Sequence, residues 1–245
     1  MDRIGLEPGA RVLDVGCGPR GCLELFAERV GPSGAVVGLE QNPRTADLAR
    51  AFVRDRDLTR VEVVTGDVCT SELARDSFDL VHARLVLVNV PNPEEIVRAM
   101  IGLARPGGVV ASHEADYVSH RCAPSHPSWD RLFAVYRAYS RRSGIDLSIG
   151  RRTYALFHAS GLVDVQVHPL IHAYPLGHSR RNIFVDFINN VRDPLIAGGF
   201  IAEAELAMHL DALEAHLARP DVLVVSHVFL QVWGRKPSER SAASN

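Results

Sequence analysis

The chain has 245 residues, which at roughly 150 residues per domain is one large domain or one domain with an addition. Hydrophobic residues make up 47% and charged residues 23%, which excludes a disordered or fibrous chain. A formal net charge of -2 gives no basic surplus to favour nucleic acid or an anionic membrane as the main partner. The four cysteines have no framework spacing, no apolar run approaches a membrane span, and MDRIGLEPGA carries no signal segment. The expectation is a soluble, cytoplasmic protein.

Up to about Ala115, short apolar runs alternate with amphipathic stretches. Strands are expected at Arg11–Val15, Ala35–Glu40, Val61–Thr65, Phe78–His82 and Val109–His113. Helices are expected over Arg20–Val30, from Pro43 through Val53, and over Pro93–Ala104. Strands alternating with helices imply a parallel sheet covered on both faces. After Tyr117 the rhythm breaks. Ser119–Ser128 reads as loop, Trp129–Tyr139 as an aromatic helical stripe, and Arg151–Ser160 as a short helix stopped by Gly161. Val163–Val167 and His227–Trp233 read as strands, Val222–Val225 as a short apolar run, Ser179–Asn190 and Ala202–Ala218 as helices, and Lys236–Asn245 as a frayed polar tail.

The strongest local signal is Val12–Gly21, VLDVGCGPRG: glycines after a strand and before a helix let backbone approach a ligand closely. Gly16–Gly21 also matches the G-x-G-x-x-G dinucleotide pattern. Three features favour another ligand. Asp14 stands two residues before the first glycine, where a pyrophosphate would gain nothing from a carboxylate. Gly66-Asp67 follows the third strand, where a carboxylate can accept from the exocyclic amine of adenine. Arg105-Pro106-Gly107-Gly108 precedes the fifth strand. Asp14, Glu40 and Asp67 thus stand at the C-terminal ends of strands one to three, where open α/β sheets bind ligands. Three acids without a pairing lysine suit a ligand with cationic or donor groups.

VLDVGCGPRG, Glu40, Gly66-Asp67, FDLVHARLVLVNVPNP and LARPGG, in this order, resemble the motifs of class I S-adenosylmethionine-dependent methyltransferases, over Gly5 to about Asp116. IGRRTYALFHASGL and VFLQVWGRKP are similar to the small-molecule branch of that family, which includes quinone and natural-product enzymes. The resemblance implies an α/β, doubly wound, mostly parallel seven-stranded sheet (the Rossmann-like methyltransferase fold) with a helical cap insertion. Its last two strands would be Val163–Val167 and His227–Trp233. The implied organisation is a cofactor-binding core over 1–116, a substrate cap with the sixth strand over 117–190, helices and closing strand over 191–235, and the tail over 236–245.

By position, Asp14, Gly16, Cys17 and Gly18 would line the methionine part of S-adenosyl-L-methionine. Glu40 would take the ribose hydroxyls, with Gln41 beside the adenine. Asp67 would face the adenine amine, Val68 would offer its backbone, and Ala83 and Arg84 would stand near the amino acid and methyl. Family members carry one or two lid helices before the first strand. Only ten residues precede Arg11, so the lid would be lost, supplied by another chain, or encoded before this start.

Methyl transfer is an in-line displacement in which positioning supplies much of the acceleration; a base is needed only where the acceptor must lose a proton. His113 and Glu114, following strand five, are the base candidates. Asp116, Tyr117, His172 and His178 are the candidate substrate contacts. His82 reads as a satisfied histidine, His209 and His216 as solvent-facing. His120, Cys122 and His126 match no metal spacing, so no metal site is assigned. The expected function is methyl transfer from S-adenosylmethionine to O, N or C of a small molecule, as in secondary metabolism, with no nucleic acid or membrane partner and with a homodimer allowed. Alternatives are a non-methylating cyclase or isomerase on the same fold and a nicotinamide-dependent oxidoreductase.

Overall fold

A computed structural model describes residues 2–238. The chain divides into two compact units. The first comprises residues up to Glu114, Arg151–His168 and the chain from Leu230; the second comprises Ala115–Gly150 and Pro169–Phe229.

The first unit is built on a seven-stranded sheet of order β3-β2-β1-β4-β5-β10-β7. Its strands are β1 (Arg11–Val15), β2 (Ala35–Glu40), β3 (Val61–Thr65), β4 (Phe78–Arg84), β5 (Ala104–Asp116), β7 (Val163–Leu170) and β10 (Val228–Arg235). β1 pairs in parallel with β2 and β4, β2 with β3, and β4 with β5. The expected doubly wound, mostly parallel seven-stranded sheet is therefore present. Burial explains the apolar runs: Val12 and Leu13 are fully enclosed, and Phe26, Val30, Val36, Leu80 and Val109 close the same core. Helices α1 (Leu23–Val30), α2 (Pro43–Asp55) and α3 (Pro93–Leu103) connect the strands, and α5 (Ile149–Ala159) precedes β7. α2 starts where expected because Asn42 caps it, accepting from the amides of Arg44 and Thr45, with Pro43 in the first turn.

α1 begins three residues later than the sequence predicts. Gly21 has φ +52°, and a Cβ there would lie 2.2 Å from the Cys17 carbonyl and 2.8 Å from Asp14 Oδ2. The glycine loop thus takes residues that apolar spacing had given to the helix. β5 runs longer than its apolar run at both ends. The expected fraying fails at Lys236: its amide donates to Gly108 O, its carbonyl accepts from Gly107, and its ammonium pairs with Asp76. Residues 239–245 of the tail lie outside the described residues.

The second unit contains α4 (Pro127–Arg142), α6 (Ile183–Asn190), α7 (Arg192–Ala197), α8 (Glu203–Leu217) and a small sheet of order β6-β9-β8, from β6 (Arg121–Ala123), β8 (Ala173–Tyr174) and β9 (Leu223–Val225). Its core joins Trp129, Leu132, Tyr136 of α4 to Phe184, Ile188 of α6 and Leu206, Leu210, Leu213 of α8. The 119–128 segment, read as loop, contains β6. α8 clusters in this unit with the 115–150 chain. His216 is buried, not solvent-facing: its Nε2 lies 2.9 Å from Pro124 O. His209 is held at 3.1 Å from Ser128 Oγ. Arg181 is 4% exposed and donates to three carbonyls, of Leu217, Tyr174 and Arg219, so that one guanidinium ties the end of α8 to β8. Among the described residues, no helix is long and apolar enough to cross a membrane.

Candidate functional site

A cavity of about 500 Å³ opens at the C-terminal ends of β1, β2 and β3 in the first unit. Gly16 from the glycine loop, Glu40 and Gln41 after β2, Asp67 and Val68 after β3, and Val86 after β4 are among its lining residues. Glu40, Asp67 and Glu95 are its ionisable groups, besides the thiol of Cys69, and no cation lines it. This composition fits a ligand presenting hydroxyl and amine donors and gives a pyrophosphate nothing to pair with.

The carboxylates also shape the backbone. Glu40 Oε2 accepts from Gly18 N at 3.0 Å and Oε1 from Asn42 N at 3.0 Å. Asp67 Oδ1 accepts from Cys69 N at 2.8 Å, closing a local turn, while Gln41 Nε2 lies 3.5 Å from Oδ2. Gly66 N donates to Glu40 O, joining the two strand ends. Gly16 has φ +62°, and a Cβ there would lie 2.6 Å from Val86 Cγ2; only glycine lets the loop pass this wall.

Four expected cofactor contacts have other geometry. Asp14 is 2% exposed; its Oδ2 accepts from Cys22 N and its Oδ1 lies 2.8 Å from His82 Nδ1. It tightens the glycine loop from below, and it satisfies His82 as expected. The Cys17 side chain points into the core against Gly38, so only its backbone faces the loop. Its thiol is pushed up to about 12 by burial and by the Asp14 and Glu40 carboxylates. Ala83 is fully buried. Arg84 reaches the surface and lines a second cavity, of about 340 Å³, with His82, His113, Cys22 and Trp233.

Glu114, read as a base, is fully enclosed, and its carboxylate accepts from the amides of Val86 (2.9 Å), Leu87 (2.9 Å) and Val88 (3.4 Å). Burial nevertheless raises its pKa to about 7. This clamp follows Leu85, a non-glycine residue at φ +55° whose amide donates to His113 O. A strained turn held from β5 at several points forms one wall of the larger cavity. His113 lies on the opposite side of β5 from this clamp, in the smaller cavity; burial, Arg84 and His82 lower its pKa to about 4.

Among the described residues, only Asp14, Cys22 and His82 bring three ligand-type atoms within 4.8 Å. Burial and Asp14 push the Cys22 thiol up to about 11, and Arg84 hydrogen-bonds to it, so the cluster holds a neutral thiol beside a cation.

In the second unit, Asp116 is buried and Tyr117 packs on His227 with ring centroids 4.8 Å apart. His172 and His178 are exposed. His172 stacks parallel to Tyr174, and His178 Nδ1 accepts from Arg180 N at 3.0 Å. Sequence reasoning missed His227 altogether and considered His120 only as a metal ligand. Both are 8% exposed and lie edge-to-face, 5.2 Å apart. No spacing marks this pair, because His120 and His227 meet only through tertiary packing.

A family model described as a methyltransferase domain matches residues 6–136. Demethylmenaquinone methyltransferase of Listeria welshimeri is 31% identical over 139 residues, covering 57% of this chain and 56% of that relative. The chain thus matches little more than half the length of this relative. Among solved structures, Haemonchus contortus phosphoethanolamine N-methyltransferase 2, in complex with phosphomonomethylethanolamine and S-adenosylhomocysteine, has a TM-score of 0.60 at 17% identity, over 97% of this chain and 51% of that one. The cyclase SpnF has a TM-score of 0.58 at 18% identity, over 97% of this chain and 79% of that one. At these identities the structures share the fold with this chain.

Proposed function

The chain belongs to the methyltransferase-domain family, the S-adenosylmethionine-dependent enzymes of class I, and from that premise we propose that it methylates a small, ring-bearing acceptor of the quinone type. The observation that carries the cofactor half of this reading is the cavity at the ends of β1 to β3, with carboxylates at its rim and no cation in its lining. Glu40 would receive the ribose hydroxyls and Asp67 the adenine amine, with Gln41 and the Val68 backbone beside the ring. Gly16, in the cavity lining, and the neighbouring Gly18 would pass the methionine portion along the glycine loop. The acceptor half rests on the relative named demethylmenaquinone methyltransferase.

When bound, S-adenosylmethionine supplies a methyl group on a sulfonium, which a well-placed nucleophile displaces. The chain's own contribution is position. Asp14 and Glu40 fix the glycine-loop amides, and Glu114 fixes the turn opposite them, so the reacting groups meet in a preformed cleft. Glu114 is on this reading a positioning residue, since its oxygens are occupied by backbone amides.

Calorimetric titration of the full chain with S-adenosylmethionine and with NADH tests the reading. Binding of S-adenosylmethionine alone is expected, followed by methyl transfer to a demethylated quinol. Gly16→Val should weaken cofactor binding by about a hundredfold, because it adds a Cβ that meets Val86 and forces a left-handed residue. Binding of NADH in place of S-adenosylmethionine would overturn the proposal.

A further inference from the structure

The smaller cavity of the first unit carries the reverse charge of the larger one. The larger is lined by carboxylates and no cation. The smaller, of about 340 Å³, is lined by Arg3 and Arg84 among others, and by no carboxylate. The two share no lining residue. The smaller volume still falls in the range of roughly 300–1,000 Å³ in which proteins hold small molecules.

The fold builds this cavity on one face of the sheet. β4 and β5 pair with His82 opposite Ala111 and Arg84 opposite His113, and alternation along the strands puts these four side chains on the same face. β10 lies beside β5 and contributes Trp233. Phe26 of α1 meets the His82 ring edge-on, with centroids 5.1 Å apart. Arg3 comes from the short helical turn Asp2–Ile4. Two aromatic walls and two arginines thus border one space.

The charge of that space is not cancelled. Among the described residues, neither Arg3 nor Arg84 makes an ion pair with a carboxylate. Arg84 hydrogen-bonds to the Cys22 thiol, which is neutral. Asp14 stands behind His82 and is 2% exposed; one oxygen lies 2.8 Å from His82 Nδ1 and the other accepts from Cys22 N. Glu114 is enclosed and occupied by the amides on the other side of β5. The Arg84 charge is felt inside the cavity: after burial, it is the larger of the two influences, with His82, that lower the His113 pKa to about 4. An unpaired guanidinium offers a carboxylate two parallel hydrogen bonds through its planar fork. Ring and aliphatic walls from Phe26, Trp233 and Leu25 suit a flat apolar body.

We propose that the smaller cavity is a binding site for a small aromatic carboxylate, with Arg84 and Arg3 receiving the carboxylate and Phe26 and Trp233 flanking the ring. The site is separate from the cofactor cavity, and it does not depend on the methyl-transfer reading.

The test compares 2-naphthoate with 2-naphthamide, which have nearly the same shape and differ in charge, by calorimetry on the full chain at neutral pH. The wild type should bind the carboxylate about tenfold more tightly, as expected for hydrogen bonds to a charged group. Arg84→Met should abolish that preference while circular dichroism stays unchanged; Arg3→Met, at an exposed position, is the second variant should the first not fold. Trp233→Leu removes a wall and no charge, so it should weaken both compounds alike. Naphthoate affinity should be the same with S-adenosylmethionine at saturation. Equal wild-type affinities, no binding of either compound, a preference that survives both arginine variants, or unchanged binding in Trp233→Leu would overturn the proposal. Displacement of naphthoate by S-adenosylmethionine would overturn it too, because the arginines would then serve the cofactor's own carboxylate. Failure of S-adenosylmethionine to bind beside an intact naphthoate preference would remove the methyl-transfer reading alone.

Discussion

The loops around the larger cavity of the first unit and the chain around the ends of α7 and α8 in the second are held with opposite chemistry. In the first, carboxylates accept from amides: Asp14 from Cys22, Glu40 from Gly18 and Asn42, Asp67 from Cys69, and Glu114 from Val86, Leu87 and Val88. In the second, cations and imidazoles serve carbonyls: Arg181 serves three, Arg142 holds Gly198 O, and His216 holds Pro124 O. The difference follows from which ends of elements each unit must fix. The first arranges loops after parallel strands, where amides lead into the next helix. The second closes helix ends, where carbonyls are left over. A carboxylate in the first unit is therefore a loop clamp before it is a reagent, and Glu114 is the clearest case.

Removing Glu114 should break this pattern most. Glu114→Ala leaves three amides without an acceptor, two of them at 2.9 Å in the parent, and should cost about 3 kcal/mol of stability. Urea unfolding measures it. pH separates the clamp from simple packing. The folded-state pKa of about 7 is above the ordinary carboxylate value of 4.5, so the folded chain holds this proton more tightly than the unfolded one. The stabilising contribution is fully present below pH 4.5 and is lost as pH rises through 7. Glu114→Gln should flatten the stability profile over that window relative to wild type. His113, His120 and His227, whose pKa values are lowered, act in the opposite sense and cancel in the difference between the two proteins. A parallel pair of profiles would show that Glu114 does not titrate as its burial implies.

The second unit offers the matching experiment. Arg181→Met keeps an apolar stem of similar length and strips three carbonyls of their donor, which should cost about 2 kcal/mol. The loss should appear in unfolding while S-adenosylmethionine affinity stays unchanged, because the lining of the larger cavity comes from the first unit. An equal loss of cofactor affinity would mean that the two chemistries are not confined to their units.

What the sequence made legible follows the same division. Strands β1 to β4 and helix α2 were readable because period, cap and glycine are local signals: Val12–Val15, Asn42-Pro43 and Gly16 each act within a few residues. The carboxylates at the ends of β1 to β3 were located correctly, yet Asp14 and Glu114 were assigned to ligand and proton. The amides they hold are 8 residues away for Asp14 and 26 to 28 away for Glu114, and spacing does not report such partners. In the second unit β6, β8 and α7 were missed. β6 and β8 are three and two residues long and exist only by pairing with β9, so neither carries a period of its own. The His120–His227 pair spans more than a hundred residues of chain and had no sequence signature.

The smallest expected effect is at His178, and it separates exposed histidines from enclosed ones. His178 Nδ1 accepts from the Arg180 amide in a surface turn, and its ring leans on Tyr174 at 4.6 Å. Water can replace that hydrogen bond at an exposed site, so His178→Ala should cost about 0.5 kcal/mol of stability, measured by urea unfolding. The contrast with His216 lies in access to solvent: water can serve an exposed imidazole, whereas the enclosed His216 has Pro124 O at 2.9 Å. A loss for His178→Ala as large as that for Arg181→Met would show that the exposed imidazoles of the second unit carry as much of its stability as its buried cation does.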